Sequence, residues 1–316
     1  MSVSLMMAPV RGISDRIYRN SFARHFSGID EAVAPFLSTL RGSDVKETQF
    51  NDLIPANNSL PVIPQIIGKN HVYFLELAMR FLDLGHERIN WNLGCPFPTM
   101  TKKGCGSALL PHPDLVDDFL EKVLGTFPGK LSVKVRLGLT DSGDLSALIP
   151  VFNRYPLDEI IIHPRTGKQM YKGRLDLDRF QEALVSLDHP VVYNGEITTP
   201  EEFHEVQERF PSVNRFMLGR GLFANPLLAS EIKSGKSISD LKRYELIFAF
   251  HEELFFHYTR RLSGSAHLYH KMAGHWEYLH RTLPGGAKMF KRLRRMQYFH
   301  DYVPLIAALK KSLLSG

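Results

Sequence analysis

The sequence predicts an α/β fold: a (β/α)8 TIM barrel followed by a small C-terminal all-α helical bundle. Three observations predict it. Eight short β-branched or aliphatic runs recur about every 30 residues, the period of a βα unit. Most of the runs are near-continuously apolar rather than alternating, as strands covered on both faces must be. Beyond residue 235 the runs stop and helical patterns take over. A doubly wound sheet is the alternative, but no G-x-G-x-x-G follows the first run.

Taken in order, the runs are SLMMAP (4–9), EAVAPFL (31–37), PVIPQIIG (61–68), RINWNLG (88–94), LSVKVRLG (131–138), EIIIHP (159–164), PVVYNG (190–195) and RFMLGRG (215–221). Helices fill the gaps. HVYFLELAMRFLDLG (71–85) keeps helical apolar spacing as far as Gly85, a natural C-terminal stop. TPEEFHEVQERF (199–210) offers Thr199 as N-cap, Pro200 at the first helical position and Glu202 to complete a capping box. After IKSGKSIS (232–239), residues 241–262 read as one long helix halted by Ser263 and Gly264. Segments 265–283 and 286–297 read as two more helices, and the tail as a fourth. The expected division is a barrel over 1–235 and a helical domain over 236–316.

Charge divides the same way. The net charge of +6 hides an asymmetry: from Lys236 onward there are 14 Lys+Arg against 6 Asp+Glu, so the first 235 residues are slightly acidic. That last quarter also holds 13 of the 34 aromatics. A basic, aromatic module fits a polyanionic partner, although a solvated helical face is the plainer explanation. The N-terminus lacks the basic segment and long apolar run of an export signal, and no apolar stretch approaches the ~20 residues of a membrane span. These features predict a cytoplasmic protein with no membrane association, and nothing in them demands more than a monomer. The only cysteines, Cys95 and Cys105, lie ten residues apart without the further ligands zinc needs. No metal is expected, and in a reducing compartment no disulfide.

In such a barrel the chemistry sits at the C-terminal ends of the strands. Those ends carry Ala8-Pro9, Gln65, Asn92 to Pro96, Lys134 and Arg136, His163 to Thr166, Asn194-Gly195-Glu196 and Gly219-Arg220-Gly221. The glycine turns at the last two positions allow close backbone approach to an anion, with Arg220 adding charge, or else are simply tight turns. Lys134 within a buried strand needs either a carboxylate or an anionic cofactor. Cys95 falls just past the fourth strand at the barrel mouth. A thiol whose pKa stays near its reference value of about 8.5 is mostly protonated at neutral pH and can act as a general acid; beside a cation that lowers the pKa it becomes a nucleophile. Cys105 reads as packing.

Eight pieces in this order resemble the tRNA-dihydrouridine synthase family (bacterial type). They are MAPVRGISD (7–15), PQIIG (64–68), NLGCP (92–96), GSALL (106–110), VKVRLG (133–138), HPRTGKQMYKG (163–173), NGEI (194–197) and LGRG (218–221). The resemblance implies FMN in the barrel mouth, NADPH as reductant, and reduction of a uridine of tRNA to 5,6-dihydrouridine. It assigns FMN contacts to Pro9, Val10, Arg11, Gln65, Lys134, His163, Asn194, Gly195, Glu196, Gly219 and Arg220. It makes Cys95 the catalytic acid at carbon five, opposite hydride delivery to carbon six. Asn92 and Arg165 fall to the base. Lys271, His275, Arg281, Lys288, Arg292 and Arg295 of the helical domain fall to the tRNA; Lys288, Lys291, Arg292 and Arg295 share one helical face at i, i+3, i+4 and i+7. The chain departs from the family's usual pattern at Arg11, Asn90 (commonly Asp), Pro98-Thr99-Met100 and Pro164. A small-molecule FMN oxidoreductase of the dihydroorotate or ene-reductase kind is the alternative on the same barrel, and a non-catalytic RNA-binding protein a third reading.

Overall fold

The computed structural model describes residues 3–296 and 299–315. Ten strands run through it: β1 (Ser4–Met7), β2 (Glu31–Val33), β3 (Leu37–Ser38), β4 (Val62–Ile63), β5 (Gln65–Ile67), β6 (Arg88–Leu93), β7 (Lys130–Gly138), β8 (Ile160–Thr166), β9 (Val191–Tyr193) and β10 (Arg215–Leu218). All their pairings are parallel, in the order β3-β5-β6-β7-β8-β9-β10-β1-β2-β4. The two ends of that order are halves of the same two sequence runs. Pro35 lies between β2 and β3, and Pro64 between β4 and β5. With β2 on β4 and β3 on β5, the second run pairs with the third along both halves, which closes an eight-stranded ring. Proline has no N–H to give the ladder, so each of these runs breaks where its proline falls.

Side chains from alternate strand positions fill the ring. Met6, Val33, Ile63, Ile161, Val192 and Met217 form a buried cluster inside it, while the larger core joins the strands to the surrounding helices. The N-terminal ends of the strands are tied by charge. Arg88 meets Glu31 at 2.7 Å, Asp158 at 2.7 Å and Glu159 at 3.2 Å. Arg215 meets Glu159 at 2.8 Å and also contacts Glu31. Glu159 is buried, so its two arginines keep an otherwise costly carboxylate compensated. Chemistry is left to the opposite rim.

The helix Pro200–Arg209 starts as its sequence predicts, with Thr199 Oγ1 accepting from the Glu202 N–H at 3.2 Å. The reciprocal bond differs: Glu202 accepts from the N–H of Thr198 at 2.6 Å, one residue earlier than the capping box requires. After Gly235, four helices complete the chain: Asp240–Arg261, Ser265–Leu279, Gly286–Leu293 and Tyr302–Leu314. The second is shorter than expected and ends in a 3-10 turn, His280–Thr282. The third stops at Leu293, four residues before its expected end at Gln297, which lies outside the described residues. These helices share the main core with the barrel. Asp15 is one of their polar anchors, accepting from Tyr258 Oη at 2.6 Å and from Lys271 Nζ at 2.7 Å. Among the described residues no helix is long and apolar enough to cross a membrane.

Candidate active site

A cavity of about 590 Å³ opens at the C-terminal rim of the barrel. All the strand-end residues expected to contact a cofactor line it: Pro9, Val10, Arg11, Gln65, Lys134, His163, Asn194, Gly195, Glu196, Gly219 and Arg220. Cys95, Asn92 and Arg165 line it too, and Arg281 reaches it from the C-terminal helices. Six cationic residues and two carboxylates face this space, a balance suited to an anionic occupant.

The cysteine loop is held from both sides. The Asn92 side chain accepts from the N–H of Gly94 at 3.1 Å and of Cys95 at 2.8 Å. Ser107 donates both its N–H and its hydroxyl to the Cys95 carbonyl at 3.1 Å. Gly106 makes that return path possible. Its φ is +65°, and a Cβ there would lie 2.6 Å from the Cys95 carbonyl oxygen. The glycines around Cys105 thus fold the loop back onto Cys95. Cys105 itself is fully buried beside Ile67 and Met100, and both cysteines are free thiols.

Behind the loop runs a chain of side-chain amides whose direction is dictated by the backbone. Main-chain N–H groups can only donate, so Asn92 must offer them its oxygen. Its Nδ2 then donates to Gln65 Oε1 at 2.7 Å. Gln65 Nε2 donates to Asn90 Oδ1 at 2.7 Å, and Asn90 Nδ2 to Ser132 Oγ at 2.8 Å. Ser132 ends the chain on the Ile89 carbonyl at 3.3 Å. Asn90, where the resembling family commonly has Asp, is therefore a fully engaged link. A carboxylate there could still accept from Gln65 but has no N–H to give Ser132, so the donation from position 90 to Ser132 belongs to asparagine.

Burial pushes the Cys95 thiol above its ordinary pKa, against the Phe97 N–H and the charges of Arg136, Arg11 and Lys134, which favour the thiolate. At neutral pH it is protonated, and donors wait to stabilise the anion left behind. This is the arrangement of a general acid rather than a resting nucleophile.

Lys134 lines the cavity, partly buried, and among the described residues no carboxylate stands within ion-pair distance of it. Burial, with Arg136 nearby, brings its pKa down to about 7. Such an ammonium is compensated only if an anionic or strongly accepting group enters the cavity. The residues present therefore fit an anionic cofactor. His163 is held neutral by burial and by four surrounding cations, Arg136, Lys134, Arg165 and Arg220. Arg165 donates to its Nε2 at 3.3 Å, which leaves the proton on Nδ1. At the far side, Glu196 accepts from Arg165 at 2.7 Å and from Arg220 at 2.6 Å. Gly195 must be glycine, because a Cβ would lie 2.0 Å from Tyr193 Oη.

Two expectations, His275 and Lys271 as tRNA contacts, need correction. His275 is not on an RNA-facing surface: it is 1 % exposed, stacked between Tyr18 and Tyr258. Lys271 is spent on Asp15 and on the Gly12 carbonyl at 2.7 Å, joining the helices to the Pro9–Arg11 loop instead of facing solvent. Arg165 lines the cavity, but its guanidinium is committed to the Gly173 carbonyl and Glu196. Lys288, Arg292 and Arg295 are exposed and lie outside the cavity. Other lining residues carry no assigned role in the sequence reading, Arg136 among them although it stands at its strand end. Arg136 donates to the Gly94 and Thr166 carbonyls at 3.0 and 2.9 Å and sits over the Tyr171 ring. Its position two residues after Lys134, on one strand face, was the available signal. Tyr278 and Phe97 complete the rim. Among the described residues no group of three His, Cys, Asp or Glu side chains is placed to hold a metal.

Fold and site together define a barrel with a cation-lined cavity at its mouth and a protonated thiol among the lining residues. Its likeness to known proteins makes this specific. The family model described as "Dihydrouridine synthase (Dus)" matches residues 6–305, and the chain belongs to that family. It is a flavin-dependent oxidoreductase that reduces uridine in tRNA to dihydrouridine. The tRNA-dihydrouridine synthase B of Vibrio cholerae is 28 % identical over 231 residues, covering 73 % of this chain and 71 % of the relative. The tRNA-dihydrouridine(16) synthase of Vibrio parahaemolyticus is 22 % identical over 320 residues, covering 97 % and 95 %. That of Cupriavidus necator is 25 % identical over 309 residues, covering 93 % of each. In structure, an old yellow enzyme homologue from Zymomonas mobilis matches with TM-score 0.52 at 11 % identity, over 76 % of this chain and 92 % of that one. Morphinone reductase in complex with tetrahydroNAD matches with TM-score 0.53 at 10 % identity, over 75 % and 87 %. These two share the fold.

Proposed function

We propose that the cavity binds FMN, that NADPH reduces it, and that Cys95 protonates carbon five of a tRNA uridine. The observation that carries this reading is the convergence of a protonated thiol and an uncompensated lysine on one cationic cavity. The flavin supplies the hydride. This chain's residues do the rest. Lys134 is placed to neutralise negative charge on a cofactor ring, and Arg220 with the Gly195 and Gly219 turns to meet a phosphate. Cys95 gives up its proton while the Phe97 N–H and the charges of Arg136, Arg11 and Lys134 stabilise the thiolate. Asn92, already locked to the cysteine loop, keeps one free N–H for the oxygen of a base.

Residues 236–316 act in this reading as the tRNA-binding domain of a monomeric, cytoplasmic enzyme. Two relatives that align along almost the whole chain, this segment included, carry names specifying position 16 of tRNA. Uridine 16 is therefore the proposed target. Mapping dihydrouridine in tRNA treated with the purified protein tests this: reduction at position 16 supports it, and reduction only elsewhere refutes it.

Two predictions arise here. Charge reversal at Arg292 and Arg295 should raise the KM for tRNA by about tenfold and flatten its salt dependence. Unchanged kinetics would return that face to solvent. Cys105→Ala should lower thermal stability by about 1 kcal/mol, a few degrees in Tm, and leave turnover within about twofold. A loss of turnover as deep as that of a Cys95 variant would show that the acid is the wrong thiol.

A further inference from the structure

The reading of the cavity as the pocket for the reduced uridine also has consequences for its rim. Phe97 is 45 % exposed, a large apolar side chain facing solvent at the cavity entrance, two residues from Cys95. Its main chain is fixed. The Phe97 carbonyl accepts from the N–H of Met100 at 2.8 Å and of Thr101 at 3.0 Å. Proline stands on either side, at 96 and 98. The apolar cluster of Ile67, Met100, Cys95 and Cys105 lies close by, packed with Phe36 and Leu40. Pro35, Phe36 and Pro96 join Phe97 in lining the entrance, whereas the C-terminal helices contribute Glu277, Tyr278 and Arg281.

A uridine reduced on its ring face has to leave its stack, and its neighbour in the strand then loses a stacking partner. A rigid, exposed aromatic ring at that entrance replaces the partner without regard to base identity. We propose that Phe97 is a stacking platform for the nucleobase adjacent to the target uridine, a second base subsite just outside the reaction cavity. The ring is uncharged, so its contribution is independent of salt, unlike that of the basic helical face. The Phe97 N–H that supports the Cys95 sulfur belongs to the backbone and survives side-chain replacement.

The test is a cycle between protein and substrate, run on flavin-loaded enzyme. The proteins are wild type, Phe97→Ala, Phe97→Leu and Phe97→Trp; the substrates are unmodified tRNA and transcripts abasic immediately 5′ or 3′ of the reduced uridine. Phe97→Ala and Phe97→Leu should each raise the KM for intact tRNA about tenfold with a smaller effect on kcat, and Phe97→Trp should restore it. One of the two abasic transcripts should cost the wild type a similar factor and cost Phe97→Ala nothing further. The salt slope should match wild type throughout. Multiplying effects, a leucine variant indistinguishable from wild type, or an unchanged KM in Phe97→Ala would overturn the proposal. If wild type itself formed no dihydrouridine, the reading of the pocket would fall with it.

Discussion

Cys95→Ala is expected to retain bound flavin and lose dihydrouridine formation by at least about 10²-fold, the lower bound of what a positioned general acid contributes. The variant keeps the cofactor because Cys95 contributes a proton and not a cradle. Its backbone N–H and carbonyl, bonded to Asn92 and Ser107, remain in place. A pH profile separates the acid role from a structural one. The folded-state pKa of the thiol is raised above 9.0 by burial. The acid is therefore present at all lower pH, and the thiol-dependent step is lost as pH rises through that raised value. A nucleophilic thiolate would show the opposite limb, with activity gained as pH rises. Wild-type turnover in the alanine variant would remove the acid from this account altogether.

Lys134→Met is the second large effect. In the ligand-free protein the ammonium loses its proton near pH 7 because burial opposes the charge and Arg136 repels it. An anionic occupant favours the charged form and raises that pKa. Affinity for FMN is therefore highest below about pH 7 and declines as pH climbs past it, and methionine should abolish the slope. Loss of the charge also disfavours negative charge on a reduced ring, so the midpoint potential should become more negative by on the order of 30–60 mV, one to two decades for a two-electron couple. Without ligand the substitution removes an uncompensated charge from a partly buried position, so the empty protein should gain stability. An unchanged potential, with flavin affinity independent of pH in both proteins, would place Lys134 away from the ring.

Much of this site was readable because the topology does the gathering. Once eight runs are taken as barrel strands, their C-terminal ends must meet at one rim, and residues as distant as Pro9, Lys134 and Arg220 become neighbours. Where sequence reasoning failed, the deciding facts are tertiary. His275 sits on a helix whose polar residues look like surface, and only the packing of helix Ser265–Leu279 against the barrel places Tyr18 and Tyr258 on either face of its ring. Lys271 carries a charge like its neighbours, but the Gly12 carbonyl and Asp15 lie within reach and hold it. Gly106 was legible as a loop residue, not as the absence of a Cβ beside Cys95. The Asn90–Ser132 link was invisible for a related reason. Two small polar residues inside apolar runs reveal nothing until the register pairs them directly, as it does between β6 and β7.

The most direct test is a single anaerobic mixing experiment. Holoprotein whose flavin has been fully reduced is combined with unmodified tRNA, and in parallel with a free enone, while flavin absorbance and tRNA dihydrouridine are followed. The account predicts flavin oxidation by tRNA in step with dihydrouridine, one for each protein molecule, and little response to the enone. Reduced flavin that ignores tRNA but is promptly oxidised by the small molecule would contradict it.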